Sequence, residues 1–263
     1  MKEIPALKRA FRTAYEHKQW FLISSVMDLL LLLAYGFATA PIYAKLMLHI
    51  QTIGALGTDA VAAATREGKS MLSVLVSESI KPYFYNTLIL LLILGITVYL
   101  LYCLFQAFNW KIALQLTGKK IKYMDYLKKF LRVNIIWFLL FVLYYVLGFV
   151  IEIRKILITT ITQAEPSGAL NIILTFLLIL IAYFAVISYV KLSVRKSLYI
   201  GKSRIRQLLP SVLIFAIYLL ALQMLITYLF TINFSLAVIL GLLLFIPALT
   251  IARIYITLII QKM

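Results

Sequence analysis

The sequence is poor in the residues that most enzyme sites use. Its 263 residues include one cysteine, two histidines and nine acidic residues. The single cysteine, Cys103, excludes an intrachain disulfide, and no group of His, Cys and acidic residues has metal-ligand spacing. Gly68-Lys69-Ser70 and Gly201-Lys202-Ser203 copy the tail of a P-loop, but both lack the leading glycine. We therefore predict no enzymatic activity, no metal site and no cofactor.

Charged residues are also scarce, and apolar residues are abundant. Only 13% of the chain is charged and 64% is hydrophobic, whereas soluble domains average about 25% and about 45–50%. A soluble protein of this size cannot cover so much apolar surface. The composition excludes a soluble enzyme, a disordered chain and a β-barrel. It predicts an all-α polytopic integral membrane protein, because lipid requires each span to satisfy its own backbone hydrogen bonds.

Six apolar stretches are long enough to cross a bilayer as helices, which takes about 20 residues. They cover residues 20–43, 83–108, 133–151, 170–190, 210–232 and 236–256. We predict one six-helix domain over residues 1–263, built as three hairpins. The fifth span is expected to begin at Pro210, and Pro247 is expected to kink the sixth. A further helix at the outer surface is expected near residues 71–80.

The basic residues indicate how the spans are oriented. The chain has 26 Lys and Arg residues and a net charge of +17. All but six of the 26 lie on the side that holds both termini, and basic residues stay in the cytoplasm. We predict a multi-pass protein of the cell membrane with both termini cytoplasmic, and with Glu67 and Glu165 outside. The charge is attributed to membrane contact, so no nucleic-acid partner is expected.

Each odd-numbered span follows a basic cytoplasmic segment that carries an apolar stripe. The three stripes comprise Leu7, Ala10, Phe11, Ala14 and Tyr15; Ile121, Met124, Leu127 and Leu131; and Val194, Leu198, Ile205 and Leu208. We predict an amphipathic helix at the membrane surface in each segment, with Gly201 interrupting the third. Gly118-Lys119 and Gly201-Lys202 stand in similar places. They indicate either an internal repeat or the general basic character of cytoplasmic loops.

The basic segments are predicted to contact the headgroups of anionic phospholipids or a partner protein. The residues assigned to this contact are Lys119, Lys120, Lys122, Lys128, Lys129, Arg195, Lys196, Lys202, Arg204 and Arg206. The sequence does not indicate an oligomeric state.

Asp28 is an acidic residue inside the first span, eight residues from its start. A lone carboxylate at the centre of a span costs about 2.5–3.5 kcal/mol, so it should be protonated or paired. Arg253, in the last turns of the sixth span, is the best partner. Asp28 and Arg253 could form a structural ion pair between the first and last helices, or Asp28 could be a proton or cation site. Gln223, the deepest amide, is the next candidate for a pathway residue.

Two basic segments suggest a family. Gly118-Lys119-Lys120-Ile121 is followed by Tyr126-Leu127-Lys128-Lys129-Phe130, and Val194-Arg195-Lys196-Ser197-Leu198 follows the fourth span. The arrangement resembles a group of prokaryotic six-helix membrane proteins, including the membrane domain attached to some glycerophosphodiester phosphodiesterases. In those phosphodiesterases, the catalytic activity resides in a separate soluble barrel. The resemblance therefore implies a membrane module and assigns no catalytic residue.

These observations favour a non-enzymatic membrane module that acts as a scaffold or as a subunit of a complex. The alternative is a transporter or channel subunit with Asp28, Gln223 and the Pro247 kink lining a path. A membrane-embedded enzyme acting on lipid is the third hypothesis, and the scarcity of catalytic groups argues against it.

Overall fold

A computed structural model describes residues 3–66, 77–162 and 168–262 of the chain. It is 92% helical, and these residues contain no β-strand. Six of its helices are long and apolar enough to cross a membrane. The prediction of an all-α polytopic membrane protein is confirmed.

Nine α-helices follow one another along the described part of the chain. They are α1 (Glu3–Glu16), α2 (Lys18–Arg66), α3 (Lys81–Leu116), α4 (Tyr123–Thr162), α5 (Ala169–Lys191), α6 (Val194–Ser203), α7 (Ile205–Ile232), α8 (Phe234–Leu240) and α9 (Ile246–Gln261). A π-helical turn, Gly241–Phe245, joins α8 to α9.

The membrane spans are longer than the apolar stretches predicted. The spans lie at Lys18–Gly57, Lys81–Leu116, Tyr123–Glu152, Ala169–Lys191, Ile205–Ile232 and Phe234–Gln261. Helix α2 has 49 residues and α4 has 40, about twice what a crossing requires. Hydropathy identifies only the residues that lie in the hydrocarbon core of the bilayer. A helix can continue through polar residues until its backbone hydrogen bonds are interrupted.

The chain divides into two compact units. The first contains Met1–Leu29 and Cys103–Met263, and the second contains Leu30–Tyr102. In the second unit, Leu46 of α2 and Ile80, which precedes α3, are buried. The ring of His49 lies 5.8 Å from the ring of Tyr83, so α2 and α3 are in contact there. Most of the predicted outer helix at 71–80, including residues 71–76, lies outside the described residues.

In the first unit, α1 packs along α9. Its buried face consists of Ala6, Ala10 and Ala14, and small residues one turn apart allow two helices to approach closely. Phe11 and Tyr15, which the sequence assigned to the same stripe, are instead 53% and 84% exposed. Within the protein, α1 therefore buries only the alanine side of its apolar stripe.

The second basic segment is not a separate helix. It forms the first turns of α4, which begins at Tyr123 and continues into the third span. Its contacts with the protein are made by Tyr126, Leu127 and Phe130, whereas Met124 is 63% exposed. The first and third segments do form separate helices, α1 and α6.

Gly118 ends helix α3. Its φ of +97° is left-handed, a conformation that glycine adopts readily. The Gly118 N–H donates to the Gln115 carbonyl at 3.1 Å, and the Lys119 N–H donates to the Leu114 carbonyl at 2.9 Å. This pair of bonds is the Schellman motif, and it turns the chain toward the basic segment.

Gly201 has a different role, and the prediction that it interrupts a helix was wrong. It lies inside α6 and is buried. A Cβ atom there would be 2.6 Å from Cε1 of Phe184 and 3.1 Å from Cδ1 of Ile187, both on α5. The Tyr183 hydroxyl also donates to the Gly201 carbonyl at 3.0 Å. Gly201 therefore permits close packing of α6 on α5. It is not equivalent to Gly118, so the two glycines do not support a repeat.

Two prolines lie at irregular positions in the last spans. The sequence predicted that the fifth span begins at Pro210. Helix α7 instead begins at Ile205, so Pro210 lies inside the helix. Pro247 is in the first turn of α9, directly after the π-helical turn. Because proline has no N–H to donate, the helix is interrupted there by the wider π turn.

Candidate functional site

Asp28 and Arg253 form a buried ion pair in the first unit. Arg253 Nη1 donates to Asp28 Oδ2 at 2.6 Å, and Nη2 donates to Oδ1 at 2.8 Å. The two residues are 5% and 7% exposed. The parallel bonds give the bidentate geometry in which a guanidinium binds a carboxylate most strongly. The pair connects α2 to α9, as the structural interpretation of Asp28 required.

Two amides on α3 complete the coordination of the ion pair. Asn109 Nδ2 donates to Asp28 Oδ1 at 2.8 Å, and Gln106 Nε2 donates to the same oxygen at 3.4 Å. Gln106 Oε1 accepts from Arg253 Nη2 at 3.1 Å. Because residues three apart share a helix face, one turn of α3 presents both amides to the ion pair. Three helices therefore meet at Asp28.

Hydroxyl groups extend the network away from the charges. Ser24 Oγ donates to Asn109 Oδ1 at 3.1 Å, and Thr250 Oγ1 donates to Ser24 Oγ at 3.4 Å. Ser24 lies one turn before Asp28, and Thr250 lies one turn before Arg253. We call this network the polar clasp. Its members are Ser24, Asp28, Gln106, Asn109, Thr250 and Arg253.

The chemistry of the polar clasp is that of a satisfied, neutral network. Oδ1 of Asp28 accepts three hydrogen bonds and Oδ2 accepts one. The guanidinium balances the carboxylate charge at contact distance. Leaving either group buried alone would be costly, whereas together with the amides they hold three helices in one register. This geometry favours the structural interpretation of Asp28 over a proton or cation site.

Asp28 and Arg253 were predicted from the sequence as a possible pair, whereas Asn109 was missed. Asn109 lies one residue beyond the predicted end of the second span, whereas α3 continues to Leu116. The spacing Gln106-x-x-Asn109 was the available signal, since it places two amides on one helix face.

Gln223 and Pro247 are not brought to the polar clasp. Gln223 is exposed on α7, in a shallow groove of 410 Å³ that Met224 and Thr227 also line. Pro247 lines an apolar groove of 380 Å³ together with Phe11 of α1 and Phe215 of α7. Asp28 does not line either of these two grooves.

A second buried network joins α3, α4 and α5. Asn134 Nδ2 donates to Cys103 Sγ at 3.0 Å, and the Tyr189 hydroxyl donates to Asn134 Oδ1 at 2.9 Å. The Tyr126 hydroxyl donates to the Tyr189 carbonyl at 2.6 Å. The Phe130 ring packs 4.8 Å from the Tyr189 ring. Helix α3 thus contributes to this network through Cys103 and to the polar clasp through Gln106 and Asn109.

The basic residues after α3 surround an open groove. It has a volume of 550 Å³ and is lined by Lys120, Ile121, Lys122, Asp125, Lys128, Lys129 and Arg132. An adjoining groove of 310 Å³ shares Lys120, Ile121 and Lys122 and adds Lys111 and Gln115. We call the larger one the basic groove. Its five cations are exposed and its one acid is Asp125.

The other residues predicted to bind headgroups are also exposed but do not line the basic groove. They are Lys119 at the end of α3, Arg195, Lys196 and Lys202 of α6, and Arg204 and Arg206 at the start of α7. Within the described part of the chain, no group of three or more His, Cys, Asp or Glu residues could hold a metal ion.

Comparison of the chain with protein-family models, with curated proteins and with solved structures finds no match. The resemblance to six-helix membrane domains therefore stays a prediction.

Proposed function

We propose that this protein is a non-enzymatic membrane module, a scaffold or a subunit of a complex, that holds anionic phospholipid in the basic groove. The observation that carries the proposal is the position of this groove. Its cations lie around the first turns of α4, which continue directly into an apolar span. A phospholipid beside this span would have its phosphate level with these side chains.

The charge balance of the basic groove supports an anionic ligand. Five cations and one acid give a net charge of +4. Each Lys or Arg near a membrane surface attracts anionic lipid by about 1 kcal/mol, and salt weakens this attraction. The amino-terminal end of a helix adds a partial positive charge. An acidic protein surface could use the same charges, but the adjoining span makes lipid the ligand that we propose.

The polar clasp supports a scaffold function and argues against a transporter or channel function. Its charges neutralise each other, and its amides and hydroxyls bond within the network. Moving an ion past Asp28 would require these bonds to break. The clasp instead supports a fixed bundle that carries the basic groove on its surface.

Four substitutions that each remove one positive charge test the lipid proposal. We expect replacement of Lys120, Lys122, Lys128 and Lys129 by Gln to weaken binding of phosphatidylglycerol about tenfold or more. The reason is that about 1.4 kcal/mol corresponds to tenfold, and four cations contribute more than this. The measurement is lipid exchange into nanodiscs of mixed phosphatidylglycerol and phosphatidylcholine, followed by native mass spectrometry.

A matched control separates the groove from net charge. Replacing Lys45, Lys81, Arg154 and Lys262 by Gln removes the same number of charges from exposed positions outside the three basic segments and should leave lipid retention near that of the native chain. Equal retention by both variants and the native chain would reject the lipid proposal. Loss of a co-purifying acidic protein, with lipid retention intact, would assign the groove to a protein partner.

We also propose that the chain lies in the cell membrane with both termini in the cytoplasm, on the basis of the asymmetry of its basic residues. In a Cys103→Ser chain, we expect Glu78→Cys to react with an impermeant thiol reagent added to intact cells. Lys202→Cys should react only after the cells are opened. Reaction of position 202 but not 78 in intact cells would reverse the assignment. The predicted external positions Glu67 and Glu165 lie outside the described residues.

A further inference from the structure

Helix α9 carries a line of polar residues that continues beyond the polar clasp. Thr250, Arg253, Thr257 and Gln261 are spaced three, four and four residues apart. At 3.6 residues per turn they lie within an arc of about 80° on one face. The first two belong to the clasp. The last two extend the same face to the carboxyl-terminal end of the helix.

Two polar atoms on this face are buried without a protein partner. Oγ1 of Thr257 and Nε2 of Gln261 form no hydrogen bond with any described residue, and the Thr257 side chain is fully buried. The two residues are four apart, so they are neighbours on the helix surface. Buried polar groups in proteins are nearly always satisfied, and ordered water satisfies those that protein atoms do not reach.

We propose that Thr257 and Gln261 bind ordered water, and that this water is continuous with solvent at the carboxyl-terminal end of α9. The groups suit water better than an ion, because a hydroxyl and a carboxamide are both neutral. Arg253, one turn away, already has its charge balanced by Asp28. Gln261 is only partly buried and its neighbour Lys262 is exposed, so solvent is adjacent to the outer end of the site.

A water site here would change the environment of the polar clasp. One helical turn, about 6 Å of rise, separates Thr257 from Arg253. The Arg253 guanidinium would therefore have water near it on the side that faces the carboxyl-terminal end of α9. On its other side it contacts Asp28 and the amide of Gln106. This inference does not depend on the lipid proposal, since it concerns a different part of the first unit.

Thiol labelling tests whether solvent reaches Thr257. In the Cys103→Ser chain, Thr257→Cys is compared with Ile260→Cys, which replaces a side chain that is also fully buried on α9. Position 260 is nearer the end of the helix but lies about 60° around the helix axis from Thr257 and about 100° from Gln261. We expect 2-aminoethyl methanethiosulfonate to modify position 257 about tenfold faster. Equal or slower modification at 257 would overturn the proposal.

An isosteric substitution provides an independent readout. If Thr257 binds water, Thr257→Val removes a bonded hydroxyl and should lower Tm by about 2–4 °C. If the hydroxyl is buried dry, the same change removes an unsatisfied polar group and should raise Tm, which would overturn the proposal. Thr227→Val, at an exposed position of α7, is the control and should leave Tm nearly unchanged.

Discussion

Replacing Asp28 by Asn should lower the free energy of unfolding by about 3–5 kcal/mol, because it leaves the Arg253 guanidinium buried without its counter-charge. Arg253→Gln should produce a loss of similar size for the complementary reason. The amides of Gln106 and Asn109 cannot compensate, since a neutral amide does not balance a charge. The measurement is thermal or denaturant unfolding of the purified protein in detergent.

The double variant identifies the interaction between the two residues. Asp28→Asn with Arg253→Gln removes both charges, so it should recover part of the summed loss and give a coupling energy of more than about 1 kcal/mol. Arg12 and Glu16, an exposed pair at 2.7 Å, provide the matched control. Their cycle should show coupling within experimental error, since water screens exposed pairs.

A cycle at Asp28 and Arg253 without coupling would contradict the structural assignment. If Asp28→Asn also raised stability and abolished an ion-coupled flux in liposomes, the transporter hypothesis would replace the proposed scaffold. The polar clasp predicts the reverse result for stability, because the Arg253 guanidinium is neutralised only when the Asp28 carboxylate is present.

Gly201→Leu is expected to have the next largest effect, a loss of about 3 kcal/mol. The new side chain begins with a Cβ atom only 2.6 Å from Phe184 Cε1. Either α6 moves away from α5 or the Phe184 ring leaves its position. Overpacking of this kind typically costs 1–3 kcal/mol or more. Displacement of α6 would also break the bond from the Tyr183 hydroxyl to the Gly201 carbonyl.

Gly95→Leu is the matched control for Gly201→Leu. A Cβ atom at Gly95, inside α3, has no atom within 4 Å. That substitution should be neutral or should raise stability by up to about 1 kcal/mol, since leucine is the better helix former. Combining Gly201→Leu with Phe184→Ala should cost less than the sum of the single changes. An unaffected Tm for Gly201→Leu alone would show that α6 does not need the close contact.

The sequence predicted the six spans and the pairing of Asp28 with Arg253 for the same physical reason. Placing an unpaired polar group in lipid costs a large free energy. An apolar composition therefore requires helical spans, and a carboxylate within a span requires a partner. Arg253 could be chosen as the partner because it lies near the cytoplasmic end of the sixth span. Asp28 lies at a similar depth in the first span. No knowledge of helix packing was needed for either prediction.

Other features depended on contacts that a one-dimensional pattern does not contain. An apolar stripe shows that a helix has two faces, but Ala6, Ala10 and Ala14 determine which face of α1 packs on α9, while Phe11 remains exposed. Glycine is compatible both with the left-handed end of α3 at Gly118 and with close packing inside α6 at Gly201. Only the neighbouring helix distinguishes the two roles.

The sequence by itself thus determined the fold class, the number of spans and the need for a partner at Asp28, because each follows from the cost of placing polar groups in lipid. The tertiary structure alone decided that Asn109 joins the ion pair, that Gln223 lies on the exposed face of α7, and that five cations surround one groove. These features depend on the rotation and separation of packed helices. Side-chain packing sets both, and residue order along one helix does not encode them.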